Sequence, residues 1–243
     1  MEAADAGFDA ELAVEQDDTA EDTGTASEEL QATGEVGWSQ GQPAKGLGPT
    51  SDRVCFLTGL KGNFVGGGER VRVYASGGSW YLEGNSAHTG VGAWASCAYT
   101  APGTYTGEYV WEAGQNYPTS LGSASGRVCF FTRLSGGFNS TKEWVHIYAS
   151  GGTWFMTGET GGPVLRAGAR CVSVPSDGGQ IYLGTNEKTK YMGPIAGKSC
   201  GLVKLVGTLN SGSDYVHCDR TMDSWYLTGQ ATSGPLGVGA RLF

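Results

Sequence analysis

Three stretches of the chain, RVRVYAS (70–76), WVHIYAS (144–150) and YVHCDR (215–220), alternate apolar and polar positions. A period of two sends successive side chains to opposite faces of a half-buried strand. After a short break each is followed by a second strand-like run, SWYLEG, TWFMTG or SWYLTG. In the first two the break is Gly77-Gly78 or Gly151-Gly152. A primed two-residue hairpin turn needs positive φ at its central residues, and a glycine pair supplies it. In the third, TMD replaces the glycines, so that turn is expected to differ. Ahead of these hairpins stand RVCFLTGL (53–60), RVCFFTRL (127–134) and SCGLVKL (199–205), short apolar runs of the kind that form buried strands. With an opening aromatic strand and a closing one such as VGAWASC, each segment is predicted to hold about five strands. No window carries a sustained helical period, and no run of about 18 apolar residues predicts a membrane span.

The three segments are copies of one another, with a period of about 73 residues. Counted from Cys55, Cys129 and Cys200, position nine holds Phe64, Phe138 and Leu209, and position fourteen holds Glu69, Glu143 and Asp214. Position twenty-five holds Trp80, Trp154 and Trp225, and position twenty-nine Gly84, Gly158 and Gly229. Upstream, Trp38, Trp111 and Tyr182 open the copies if one residue of slip is allowed. The expected fold is therefore all-β: three antiparallel repeats of about 73 residues in pseudo-threefold relation, trefoil-like or prism-like, each a small disulfide-tied sheet. The boundaries fall at 36–106, 107–178 and 179–243, and the short links between copies favour packed repeats over separate beads.

Composition changes this picture at the N-terminus only. Glycine supplies 42 of 243 residues, which suits a turn-rich β protein. Residues 1–35 carry twelve of the 24 acidic residues and neither Lys nor Arg. Such a segment has too little to bury and is expected to be a solvated, disordered tail or linker. The net charge of −8 is thus the tail's; the repeats hold sixteen basic against twelve acidic residues. A body so weakly basic gives no footing for nucleic acid as a partner.

The cysteines pair by register. Cys55 and Cys97 stand 42 residues apart, as do Cys129 and Cys171; the third copy has Leu242 at the second position and places Cys218 where the others have Val73 and Ile147. Of fifteen possible pairings, the repeat selects Cys55–Cys97, Cys129–Cys171 and Cys200–Cys218. Disulfides imply an oxidising compartment, so an extracellular or cell-surface location is expected, with a leader outside this numbering. No CxxC or CxxH spacing supports a metal, and no cofactor is expected.

Catalytic signatures are missing: there is no GxSxG, HExxH, P-loop or dinucleotide fingerprint. His146 and His217 occupy one repeat position, where the first copy has Arg72, which marks a positional preference for a basic side chain. The repeated acid, Glu69, Glu143 and Asp214, suits either calcium or a sugar hydroxyl, or the backbone N–H groups of a turn. The expectation is that the protein is not an enzyme.

One face of each hairpin is more informative. Trp80, Trp154 and Trp225 share a side with Leu82, Met156 and Leu227, the predicted core. The other side carries Arg72, Tyr74 and Tyr81 in the first copy, Trp144, His146, Tyr148 and Phe155 in the second, and Tyr215, His217 and Tyr226 in the third. Aromatic rings flanked by polar donors are what a carbohydrate site uses, because a pyranose face packs on the ring while its hydroxyls take hydrogen bonds. The same strips could instead pack the copies together. The expected function is a non-catalytic, lectin-like binding protein with up to three equivalent sites for a glycan or cell-surface ligand. The alternative is a structural subunit of an extracellular appendage that self-associates through these strips.

Overall fold

The computed structural model describes residues 33–101, 103–162, 164–174, 178–232 and 234–243. Of the tail expected over residues 1–35, residues 1–32 lie outside the described residues. Every element of the described chain is a strand. The first copy forms β1 (Val36–Ser39), β2 (Lys45–Pro49), β3 (Arg53–Asn63), β4 (Arg70–Ser76), β5 (Ser79–Asn85) and β6 (Gly92–Tyr99). The second forms β7 (Tyr109–Glu112), β8 (Thr119–Ser123), β9 (Arg127–Ser135), β10 (Trp144–Ser150), β11 (Thr153–Glu159) and β12 (Arg166–Ser173). The third forms β13 (Gln180–Leu183), β14 (Thr189–Pro194), β15 (Cys200–Gly207), β16 (Asn210–Thr221), β17 (Ser224–Gln230) and β18 (Leu236–Leu242).

Each copy has six strands where five were expected. The extra ones are β2, β8 and β14, whose glycines and prolines hide a strand pattern. Gly48, Gly122 and Gly193 take φ of 109°, 94° and 138° there, beside a register shift against the neighbouring strand. A bulge of this kind favours glycine because the extra residue adopts a backbone that a Cβ resists.

The strands make three six-stranded antiparallel sheets, and no copy owns one. The first sheet runs β1-β6-β3-β16-β17-β14, the second β2-β5-β4-β9-β12-β7 and the third β13-β18-β15-β10-β11-β8. Every sheet joins three strands of one copy to three of another, in the same relative order. The expectation of one small sheet per copy is corrected here. Three short strands leave long unpaired edges, and pairing β3 with β16, β9 with β4 and β15 with β10 closes them.

The chain leaves one sheet for the next at a glycine. Gly62, Gly136 and Gly207 end the cysteine strands with φ of 104°, 103° and 102°. A Cβ on them would lie within 2.3 Å of a backbone oxygen, that of Gly90, Val164 or Pro235. Beyond this bend the three copies hydrogen-bond in a ring: Phe64 N–H to Leu209 O at 2.6 Å, Leu209 N–H to Phe138 O at 2.7 Å, and Phe138 N–H to Phe64 O at 2.6 Å. Their side chains are fully buried. Nearer the start of the cysteine strands, the rings of Phe56, Phe130 and Phe243 pack with centroids 5.1, 5.2 and 4.2 Å apart. The third copy has Gly201 where the others have these phenylalanines, and Phe243 fills the space.

The predicted core face is the buried one. Trp80, Trp154 and Trp225 are buried with Leu82, Met156 and Leu227. Each indole N–H donates to a backbone carbonyl at one repeat position, Arg53 and Arg127 at 2.9 Å and Lys198 at 3.3 Å. Burying a tryptophan without a partner for that N–H would be costly. The opening residue of the third copy is Leu183, not Tyr182: buried, it faces Val238 as Trp38 faces Ala93 and Trp111 faces Ala167, and the one-residue slip falls in the second copy. Tyr182 instead points outward and is 37% exposed.

All three disulfides are those expected. Cys55–Cys97 links facing residues of β3 and β6, and Cys129–Cys171 does the same for β9 and β12. Cys200–Cys218 differs, because β15 and β16 belong to different sheets. Closing 42 residues contributes roughly 4 kcal/mol on chain-entropy grounds, and closing 18 roughly 3. The hairpin turns follow the sequence too. Gly77, Gly78, Gly151 and Gly152 all have positive φ, whereas in the third turn only Met222 does, at 54°.

Candidate outer-face sites

The strips lie half-buried on the faces of the three sheets opposite the core. At the seams His146 and His217 also meet a neighbouring copy, through Gln180 and through Glu35 and Trp94. Strand alternation brings this about: burying Val71 and Val73, Val145 and Ile147, or Val216 and Cys218 turns their neighbours outward.

On the second sheet Tyr74 and Tyr81 stack at 5.6 Å, and the Arg72 guanidinium lies 4.3 Å from the centre of the Tyr74 ring. Glu83 holds both, accepting from Arg72 Nε at 2.8 Å and from the Tyr74 hydroxyl at 2.9 Å. Burial, then the bond to Glu83, pushes the Tyr74 phenol above its ordinary value. Across the seam Arg133 faces Arg72 and is paired with Glu108 at 2.7 Å.

The third sheet carries His146, Tyr148 and Phe155 in a row, with centroids 5.4 and 5.8 Å apart. His146 Nε2 lies 3.1 Å from Gln180 Oε1. Burial, opposed by that hydrogen bond and helped by Lys204 and Arg241, holds the imidazole below its usual value. Trp144 donates its indole N–H to Glu159 at 3.1 Å. Lys204 faces His146 across the seam, and its ammonium lies 4.8 Å from the centre of the Tyr182 ring.

On the first sheet His217 sits 4.6 Å from the Trp94 ring, with Nε2 at 2.9 Å from Glu35 and Nδ1 at 3.6 Å from Asp219. Tyr215 lies on the same strand, half-buried. Tyr226 meets Tyr191 of β14 edge-on at 5.7 Å, beside an open groove of about 570 Å³ that also touches Asp219 and Thr228.

The repeated acids do not belong to these strips. They are buried and hold loops. Glu69 accepts from Gly66 N–H at 2.7 Å and meets His88 Nδ1 at 2.8 Å, and Glu143 accepts from Gly161 N–H at 3.2 Å. Asp214 accepts from the N–H groups of Asn210, Ser211 and Thr232. Backbone capture is thus the role observed. Among the described residues no three His, Cys, Asp or Glu side chains converge as a metal would require.

Sequence reasoning missed one position in every strip: Glu35, Glu108 and Gln180. These flank the opening strands and reach across to the seam. Glu35 and Glu108 also accept from the Thr58 and Thr132 hydroxyls. The signal was their common place three residues before Trp38, Trp111 and Leu183, hidden by taking Tyr182 rather than Leu183 as the opening residue of the third copy. Glu35 had been counted with the acidic tail, yet Thr33 also bonds to β6, accepting from Cys97 N–H at 3.0 Å as Thr106 accepts from Cys171 N–H. The first copy therefore starts at least by Thr33.

No protein-family model matches this chain, and no curated protein sequence matches it.

Proposed function

We propose that this is a non-catalytic, lectin-like binding protein, extracellular or attached to a cell surface, whose three outer sheet faces contact carbohydrate. The copies close into a pseudo-threefold prism, and this arrangement turns one strip outward on each side. One observation carries the proposal. Each outer face holds a half-exposed aromatic pair, Tyr74–Tyr81, Tyr148–Phe155 or Tyr191–Tyr226, at 5.6 to 5.8 Å and beside polar groups. The first two pairs are inclined by 29° and 31° and the third meets edge-on at 68°; a pyranose face packs on a single such ring, with hydrogen-bonding groups at its rim. The three disulfides accord with an oxidising location.

The test is binding of the full chain to immobilised glycans, with competition by free sugar. Retention that free sugar releases supports the proposal. Tyr81→Ala, Phe155→Ala and Tyr226→Ala should each weaken capture on a multivalent surface more than binding of a monovalent sugar, because linked sites act through effective concentration. Failure to bind any glycan, together with concentration-dependent polymers in sedimentation, would favour an assembly subunit.

A further inference from the structure

The first sheet departs from the other two at one cross-strand pair. Position nineteen, counted from the cysteines, holds Tyr74, Tyr148 and Asp219. Their partners across the hairpin are Tyr81, Phe155 and Tyr226. The first two pairs are rings in contact, at 5.6 and 5.8 Å. In the third a short carboxylate stands in place of the tyrosine ring, and the groove of about 570 Å³ opens between it and Tyr226. That volume lies within the roughly 300–1,000 Å³ of small-molecule sites.

Two further departures of the third copy meet at the same groove. Its hairpin turn carries Met222 and Asp223 where the others have Gly77-Gly78 and Gly151-Gly152. Met222 is held at a φ of 54° and is 93% exposed, at the lip of the groove beside Asp223. That position bears a conformational cost that glycine would avoid. On β14, Tyr191 faces Tyr226, where β2 sets Gly46 against Tyr81 and β8 sets Ser120 against Phe155. Tyr226 therefore has a ring on its edge-strand side and the groove on its Asp219 side.

The groove is acidic. Asp219 has one ion-pair contact, His217 Nδ1 at 3.6 Å, longer than a hydrogen bond, while His217 Nε2 is held by Glu35 at 2.9 Å. The Asp223 side chain is exposed and carries no ion pair among the described residues. No Lys or Arg lines the groove, and Thr189, Thr221 and Ser224 add hydroxyls. The nearest basic residues in sequence, Arg220 and Lys190, face Trp225 and Leu227, at the positions that alternate toward the core side.

We propose that this groove binds a sugar carrying a free amino group. The pyranose ring packs on Tyr226, in the place that Tyr74 and Tyr148 fill in the other copies. Its ammonium is held by the Asp219 carboxylate, and Asp223 at the mouth adds to the attraction. This rests on the carbohydrate-binding proposal above and names one ligand class for one of its three faces.

The test uses the full chain and two tetrasaccharides of one backbone, tetraglucosamine and its neutral, fully N-acetylated counterpart. Calorimetry is run at a pH where the amines are protonated and at physiological salt, which screens long-range attraction. The amino form should bind ten-fold or more tighter. Asp219→Tyr rebuilds the ring pair of the other copies and should abolish the preference. Asp219→Asn, which keeps the shape and removes the charge, should abolish it too, and decides the matter if the tyrosine variant melts early. Asp17→Asn with Asp18→Asn, a larger charge loss in the acidic N-terminal segment, should preserve it. Equal binding of the two probes, a preference that survives Asp219→Asn, or one lost in the N-terminal variant overturns this site and leaves the wider proposal standing. Binding of neither probe, while immobilised glycans still retain the chain, also overturns this site alone; loss of both results overturns both proposals.

Discussion

Gly201 lies directly against Phe130: a Cβ on this glycine would come within 2.3 Å of the ring's Cδ1. The third copy gives up its own aromatic at this position, and Phe243 packs 4.2 Å from Phe130 in its place. Phe243→Ala should therefore cost about 3 kcal/mol, as large-to-small changes in a packed aromatic cluster do. Gly201→Ala should also destabilise, by about 1–3 kcal/mol, through overpacking. Urea denaturation of the two variants checks both. A neutral Phe243→Ala would show that the cluster closes without it.

The bend between sheets makes a sharper demand on glycine. Gly136→Ala places a Cβ about 2.1 Å from Val164 O at a φ of 103°. Strain of about 1–3 kcal/mol adds to a clash with backbone that cannot step aside. Gly103, at a φ of 81°, has nothing within 4 Å of the same Cβ position. Gly103→Ala should then cost only the conformational strain. The expected result in paired denaturation curves is a much larger loss for Gly136→Ala, and equal losses would mean that the bend adapts.

Tryptophan and tyrosine on one hairpin should part company under mutation. Trp154 is 1% exposed and bonded to Arg127 O, so Trp154→Ala should cost roughly 3–5 kcal/mol. Tyr148, on the outward side, should lose little stability on change to alanine. Under the proposed function it should lose glycan binding instead. Thermal melts and binding assays run side by side separate the two effects.

His146 sets a pH window. Its folded pKa lies below the ordinary 6.5, chiefly through burial, with Lys204 and Arg241 adding to the effect. The unfolded chain therefore takes up the proton first as pH falls. Stability from this residue is fully present above pH 6.5 and is lost on acidification through the lower folded value. His146→Gln should flatten that part of the stability–pH profile measured by denaturation from pH 7.5 to 5. An unchanged slope would place the titration elsewhere.

Much of this protein is legible in one dimension because its forces are local or periodic. Strand alternation assigned Trp80, Trp154 and Trp225 to the core and the strips to the opposite face, since a strand has only two faces, but it left open whether another copy covers that face. Register paired Cys55 with Cys97 and Cys129 with Cys171, because copies of one backbone bring matching positions to matching places, and Cys200–Cys218 followed as the two cysteines left in the third copy. The glycine pairs marked their turns for the same reason: only positive φ closes so short a loop. Other features depend on contacts between copies, which no local pattern records. Whether β3 pairs within its own copy or with β16 is decided by the edges that must be covered. The ring of bonds through Phe64, Phe138 and Leu209 exists only after three bends meet. Gln180 looks like any polar residue before a strand until folding sets it beside Lys204 and His146.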